Sequence, residues 1–223
     1  MKVLTLIQRM HREYAGDAKY PTPGSDNWKE YLDIANGLIE DLATDIEHPV
    51  PDYWDEIIAG TVAMSTTLEY DLDDNVAFLS DFVYIDQTDG NTLEFRVVPV
   101  KDRALYRNQR TAYVFGADPQ QLKFSYLPSS AVGGTIRLGV YIKPDPMTSP
   151  NATVPCPRPT YVALAGAAKL SFNDPAKEEN FGDLNGQAND QYLKIIDGGL
   201  ALPGDQPRTV PQAGYVPIGG CFE

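Results

Sequence analysis

The stretch Thr135-Ile136-Arg137-Leu138-Gly139-Val140-Tyr141-Ile142 decides how the middle of this 223-residue sequence is interpreted. Large aliphatic residues stand at positions 136, 138, 140 and 142, and the positions between them carry Thr, Arg, Gly and Tyr. Successive side chains of a β-strand point to opposite faces. A period of two without exception therefore predicts a strand with one buried face.

The same alternation extends upstream from this strand. It predicts further strands at residues 93–97 and 122–126, and Phe82–Ile85 is expected to be a strand buried on both faces. Turn signals separate these segments at 89–91, 116–119 and 133–134, and Ala104–Arg110 is compatible with a helical turn. We expect an inserted antiparallel β domain, as a small sheet or sandwich, over residues 51–148.

Helical periodicity precedes this β segment. Apolar residues at helical spacing predict a short helix up to about Tyr14 and a long helix over 27–46, which Pro49 and Pro51 end. Asn27 and Glu30 have the spacing of a capping box, and Asp26 and Ser25 are alternative caps.

Helical periodicity returns after residues 143–146. Pro159 suits the first turn of a helix, and the small residues that follow favour close packing against another helix. Asp174-Pro175 predicts the start of a final helix and Gly198-Gly199 its end. Gly182 and Gly186 each weaken that helix by about 1 kcal/mol relative to Ala, so a bend or a late start is compatible with the sequence.

The resulting fold class is α+β. A helical subdomain of about four helices, from residues 1–50 and 157–198, is expected to carry the inserted antiparallel β domain and an extended C-terminal arm. The residues expected to pack the helices together are Trp28, Leu32, Ala35, Leu38, Leu42, Leu164, Ala168, Phe172, Leu184 and Tyr192.

The arm, residues 199–223, has almost no periodicity and is rich in Pro and Gly. Apolar residues are depleted in solvated tails, yet this segment contains several, which favours docking on a partner over a plain flexible tail. The residues expected to make that contact are Val210, Tyr215, Val216, Ile218 and Phe222.

Charge and chemistry exclude several function classes. The formal net charge of −13 makes the chain a poor phosphate-backbone binder. No stretch approaches the roughly 20 apolar residues of a membrane span, and the N-terminus does not resemble a signal peptide.

Residues 71–75 lack the Gly and Glu that an EF-hand calcium loop requires. Neither His11 nor His48 forms a catalytic motif with Cys156. We therefore expect no enzyme activity, no metal and no cofactor.

Several segments in order resemble the head-to-tail adaptor (connector) proteins of tailed bacteriophages. The resemblance covers roughly residues 4–198 and rests on the ordered combination of the segments. The segments are the helix Trp28–Leu42 with Asn36 near its middle, Tyr53-Trp54, the strand Thr61–Met64, Tyr70–Asn75, the turn Tyr141–Pro146, the Ala-rich helix Ala163–Asn173, and Tyr192–Ile196.

The resemblance implies a structural virion protein that forms a ring, usually twelve-fold, between the portal protein and a tail or nozzle protein. Such a protein is assembled in the host cytoplasm and ends in the virion neck, and its C-terminal arm contacts the portal or a neighbouring subunit. DNA would pass through the ring without specific binding, and no membrane is involved. The alternatives are another neck or baseplate component, a carbohydrate-binding β module of a tail fibre and, more distantly, a hydrolase.

Overall fold

A computed structural model describes residues 1–16, 19–63, 68–116 and 119–196. The bounds of its helices and strands are α1 Val3–Ala15, α2 Asp26–Thr44, β1 Trp54–Thr61, β2 Glu69–Asp71, β3 Val76–Asp86, β4 Thr92–Val97, β5 Thr111–Phe115, β6 Gln121–Phe124, β7 Thr135–Ile142, α3 Pro159–Asn173 and α4 Phe181–Ile196. Short 3-10 helices lie at Pro51–Tyr53, Val100–Tyr106, Ser129–Ala131 and Glu178–Asn180.

The seven strands form one sheet in the order β1-β7-β3-β4-β5-β6-β2, which curls into a half-barrel. Neighbouring strands are antiparallel except β4 and β5, which are parallel. The predicted strand at 135–142 is β7, near one edge of the sheet and paired with β1 and β3.

The predicted fold class is wrong, because the β region is a curled mixed sheet and not an antiparallel domain or sandwich. Residues 98–110 cause the difference. They cross over, partly as the 3-10 helix Val100–Tyr106, so that β5 runs in the same direction as β4. Parallel neighbours need such a crossover, whereas a tight hairpin gives antiparallel ones. Alternation within a strand shows which face is buried but not the direction of its neighbours.

The concave face of the half-barrel holds one hydrophobic core. Phe95 and Phe124 lie edge to face in it, with ring centroids 5.0 Å apart, and Ile136, Leu138 and Val140 of β7 are fully buried. The expectation that Phe82–Ile85 is buried on both faces is wrong: Val83 and Ile85 point into this core, but Phe82 is 36% exposed on the other face.

The helices form a second core, to which α1 contributes Val3, Leu6, Ile7 and Met10. Gly166 of α3 faces Met10, and a Cβ at Gly166 would lie only 2.5 Å from the Met10 Cε. The expectation of close packing from the small residues of this helix is confirmed.

The observed first residues of the helices select one of the candidate caps of α2 and correct the expected start of the last helix. Ser25 caps α2 by accepting a hydrogen bond from the Trp28 amide at 3.3 Å, so the capping box of Asn27 and Glu30 is not used. Pro159 is the first residue of α3, as expected. The last helix begins at Phe181, because the Asp174 carboxylate accepts from the Ala176 amide in a separate turn. The expected stop at Gly198-Gly199 lies outside the described residues.

The predicted helix-packing residues fall into three groups. Those buried in the helical core are Trp28, Ala35, Leu42, Leu164, Ala168 and Leu184. Leu32, Leu38 and Tyr192 are partly buried against it. The placement of Phe172 in the core is wrong, since its side chain is 63% exposed. It lies near the end of α3, where it contacts the ring of Phe181 at a centroid distance of 5.2 Å.

Candidate interaction surfaces

Tyr192, Asp45 and His48 form a polar cluster that ties α4 to the end of α2. The Tyr192 hydroxyl donates to Asp45 Oδ2 at 2.7 Å, and His48 Nδ1 lies 3.4 Å from the same oxygen. Burial tends to raise the pKa of Asp45, but hydrogen bonds from Tyr192 and from the amides of His48 and Glu47 outweigh burial and lower it. Burial and the bond to Asp45 raise the pKa of Tyr192 to about 12.

His11 and Cys156, which were considered above for nucleophilic catalysis, lie in different surroundings. His11 Nδ1 lies 3.0 Å from the Tyr31 hydroxyl, and burial raises the pKa of Tyr31 to about 12. Cys156 is buried, and burial raises its pKa to about 11, so at neutral pH it is a thiol. No hydrogen bond joins Cys156 to either histidine in the described residues.

The part of the chain that the structure describes contains no group of three or more His, Cys, Asp or Glu residues placed to hold a metal ion. Of residues 71–75, Asp71 ends β2, and a turn follows in which the Val76 amide donates to the Asp73 carbonyl at 3.0 Å. No described helix is both long enough and apolar enough to cross a membrane.

An aromatic groove runs between α2, α3 and α4. Its volume is about 450 Å³. Tyr161 and Tyr192 lie at one part of it, with ring centroids 5.9 Å apart, and the pair Phe172 and Phe181 lies at another. The exposed Lys169 is the only basic residue among its described lining. The groove therefore presents apolar rings to solvent beside a single cation.

A second concavity lies where β1 meets the proline-rich segment before α3, and we call it the Trp54 crevice. Asp52, Trp54, Asp55, Pro144 and Pro157 are among its lining residues, and its volume is about 450 Å³. The Trp54 side chain is 48% exposed. Two carboxylates and no basic side chain are found among the described lining residues, so the crevice is acidic and partly apolar.

The end of β4 and the crossover that follows it are strongly basic, and we call residues 96–110 the basic loop. Its five cations, against the single acid Asp102, are Arg96, Lys101, Arg103, Arg107 and Arg110. All five are exposed, and within the described residues none forms an ion pair. Leu105, in the middle of the loop, is 75% exposed.

The convex face of the sheet is covered differently, by charges that pair with each other. Arg137 donates to Asp86 at 3.0 Å and to Glu56 at 3.1 Å, and its guanidinium lies 5.1 Å from the centroid of the Tyr84 ring. The hydrogen bond from Arg137 contributes most to lowering the pKa of Asp86. This network joins β1, β3 and β7 within the sheet itself.

The sequence-predicted contact residues Val210, Tyr215, Val216, Ile218 and Phe222 lie outside the described residues. The basic loop and the Trp54 crevice were missed by sequence reasoning. The loop could have been found, because five of the chain's 18 basic residues fall within fifteen positions of an acidic sequence. The crevice could not, because it joins segments that are about a hundred residues apart.

No protein-family model matches the sequence, and no curated protein matches it either.

Proposed function

We propose that this chain is a structural virion protein, a head-to-tail adaptor that forms a ring under the portal and joins the capsid to the tail. The observation that carries the proposal is that two complementary surfaces lie at different places on one chain. The basic loop follows β4, and the acidic Trp54 crevice lies at β1. A subunit with different surfaces for its two neighbours can build a closed ring, whereas a self-complementary patch gives pairs.

The exposed side of α2 supports the part of the proposal that concerns DNA. It carries Asp26, Glu30, Asp33, Glu40 and Asp41, with Lys29 as the only basic residue of the helix. Carboxylates repel the phosphate backbone, so a channel with this surface would let DNA slide without binding it. In this proposal, α2 lines the channel.

In this proposal the C-terminal arm makes the contact with the portal. Residues 199–223 follow α4, and an extended segment of that length can reach roughly 80 Å at about 3.3 Å per residue. Extended arms bind through backbone hydrogen bonds and alternate side-chain pockets, for which Tyr215, Val216, Ile218 and Phe222 are suitable. Each subunit in a ring adds one such contact, so weak contacts combine.

The test is to mix the purified protein with the portal ring encoded beside its gene and to view the mixture by negative-stain electron microscopy. A second ring on the portal is expected for the full chain and not for a version that ends at Gly199. A variant with Tyr215→Ala, Ile218→Ala and Phe222→Ala should also fail to bind. A bare portal with the full chain contradicts the proposal.

A second candidate function, a carbohydrate-binding β module of a tail fibre, is favoured by one observation. Four aromatic side chains of the β region are exposed by 36% or more: Trp54, Phe82, Phe115 and Tyr126. Exposed rings are suitable platforms for sugars as well as for proteins. Binding on a glycan array that is lost with Trp54→Ala would favour this function, and the absence of any signal would count against it.

A further inference from the structure

We propose that the basic loop of one subunit docks into the Trp54 crevice of the next copy of the same chain. In this contact Leu105 packs on the apolar wall of the crevice, while Arg103 and Arg107 reach Trp54, Asp52 and Asp55. The inference deepens the proposed function and rests on it, because it names the contact between neighbouring subunits of the ring.

The basic loop has the properties of a surface that lacks its partner. Residues 96–110 have a formal charge of +4 in a chain whose total is −13. Arg103 donates to the Val100 carbonyl at 3.1 Å, which holds the loop in its turn, but within the described residues no carboxylate pairs with any of the five cations. Leu105, at 75% exposure, is the most exposed large apolar residue in the described chain.

The Trp54 crevice complements the loop in charge and in chemistry. Asp52 and Asp55 have no ion pairs in the described part of the molecule, and Asp55 accepts only the amide of Glu56 at 2.8 Å. Charge-assisted bonds between guanidinium and carboxylate groups are stronger than neutral hydrogen bonds. Trp54 and Asp55 follow each other in β1, so their side chains leave the strand on opposite faces. An arginine over the exposed Trp54 ring is therefore a second contact, separate from the one to Asp55, and it adds a cation–π interaction. Pro144 and Pro157 offer an apolar wall to Leu105. Trp and Arg are also the residues that most often dominate binding at protein interfaces.

Within the described residues a subunit does not fill its crevice with its own loop. No residue of the basic loop lines the crevice, and none of the loop's cations pairs with Asp52 or Asp55. β4, from which the loop leaves, is separated from β1 by β3 and β7 in the sheet order, and three strand spacings amount to roughly 14 Å in a flat sheet. Each copy can therefore present its loop to one neighbour and its crevice to the other, an arrangement that closes into a ring when the rotation between neighbours allows it.

Nucleic acid is the competing partner for a basic loop. The apolar Leu105 at its centre and the net charge of −13 both favour a protein partner over a polyanion. The acidic crevice also supplies the protein surface that the loop requires, so the second copy explains both features at once.

The first experiment places the photo-crosslinking amino acid p-benzoylphenylalanine at Leu105 in the full chain. After irradiation, mass spectrometry should find intermolecular cross-links from the loop to peptides that contain residues 52–55 or 144–157. The same probe at Phe172 is the control, because that side chain is exposed but lies outside both surfaces. Cross-links that are absent, purely intramolecular or spread over other surfaces overturn the inference.

The second experiment uses two neutralised variants, Arg103→Ala with Arg107→Ala, and Asp52→Asn with Asp55→Asn. In sedimentation velocity at increasing concentration the wild type should form larger species, and each variant alone should stay monomeric. Mixed together, they should give dimers and nothing larger, because each variant retains one working surface. The matched controls, Arg12→Ala and Glu178→Gln with Glu179→Gln, change exposed charges outside both surfaces and should behave like the wild type. A monomeric wild type, or variants that assemble normally, contradicts the inference.

Two further outcomes separate this inference from its alternatives. If the Arg103→Ala, Arg107→Ala variant still forms a ring on the portal, the proposed function stands and the loop–crevice contact is wrong. If the wild type shifts a 30-base-pair duplex in a gel at 0.15 M salt and the variant does not, and no cross-link reaches the crevice, the loop is a nucleic-acid contact and the inference is overturned.

Discussion

Asn36, in the middle of α2, and Met147, after the last strand, are joined by two hydrogen bonds. The Asn36 Nδ2 donates to the Met147 carbonyl at 3.1 Å, and the Met147 amide donates to Asn36 Oδ1 at 2.9 Å. Met147 is buried, so water cannot replace these bonds. The pair fixes the segment that leaves the sheet against the helical core.

Asn36→Ala should lower the free energy of unfolding by about 1–3 kcal/mol, because it leaves a buried amide and a buried carbonyl without partners. Asn36→Asp should recover only part of this loss, since a carboxylate accepts from the amide but repels the carbonyl. Urea unfolding measures the free energy of unfolding of both variants. Asn27→Ala, at an exposed site of the same helix, is the control. Equal stability of the Asn36 and Asn27 variants would show that the pair is not stabilising.

The bond between Tyr192 and Asp45 should make stability depend on acid pH. The pKa of Asp45 is lowered in the folded chain, so its contribution is fully present above the ordinary value of 3.8 and is lost as the pH falls through the lowered value. Tyr192→Phe should cost about 1 kcal/mol at pH 7. The difference from wild type should shrink as the pH falls below about 4. Urea unfolding of the wild type and of Tyr192→Phe at pH 7 and below pH 4 tests this. A difference in the free energy of unfolding that does not depend on pH would contradict the prediction.

Local patterns in the sequence located several elements correctly. The strict alternation at 135–142 predicted β7, and Pro159 marked the start of α3. Both signals depend only on neighbouring residues and on fixed backbone geometry. Helix ends were less predictable, because Ser25, Asp26 and Asn27 are all good caps and only the final chain path selects Ser25.

The mixed sheet and the candidate surfaces could not be predicted in the same way. The parallel pairing of β4 and β5 depends on the path of residues 98–110, which carry no periodic signal. Phe172 fits a helical apolar pattern, yet its side chain is 63% exposed among the described residues, and periodicity does not report where a neighbouring helix ends. The Trp54 crevice brings Asp52 next to Pro144 and Pro157, a relationship that only tertiary structure creates.

Gly166→Ala should destabilise the protein through overpacking against Met10. The new Cβ would lie 2.5 Å from Met10 Cε and 2.8 Å from its sulfur, and Met10 is fully buried. Overpacking should cost about 1–3 kcal/mol, and the higher helix propensity of Ala offsets up to about 1 kcal/mol of this, so a net loss of up to about 2 kcal/mol is expected. In the double variant with Met10→Ala the two costs should be less than additive, because the methionine that clashes is gone.

Gly182→Ala provides the matched control for this prediction. Gly182 is also helical, but no atom of the described residues lies within 4 Å of its would-be Cβ, so the substitution should stabilise by up to about 1 kcal/mol. Thermal or urea unfolding compares the two variants. If both glycine variants change stability in the same direction, close packing of α1 on α3 is not what sets the effect at Gly166.

Arg137 should stabilise the convex face of the sheet through the shape of its guanidinium as well as its charge. It reaches Asp86 on β3 and Glu56 on β1 at once and lies over the Tyr84 ring. These side chains are 32–47% exposed, so solvent screening limits the gain, and Arg137→Ala should cost about 1 kcal/mol. Arg137→Lys should recover less than half of that, because a single ammonium group cannot bridge both carboxylates in a fork.

Urea unfolding in low salt and in about 1 M NaCl separates the contributions, since salt screens the charges but not the packing on Tyr84. A lysine variant as stable as wild type would show that charge alone is sufficient at this position.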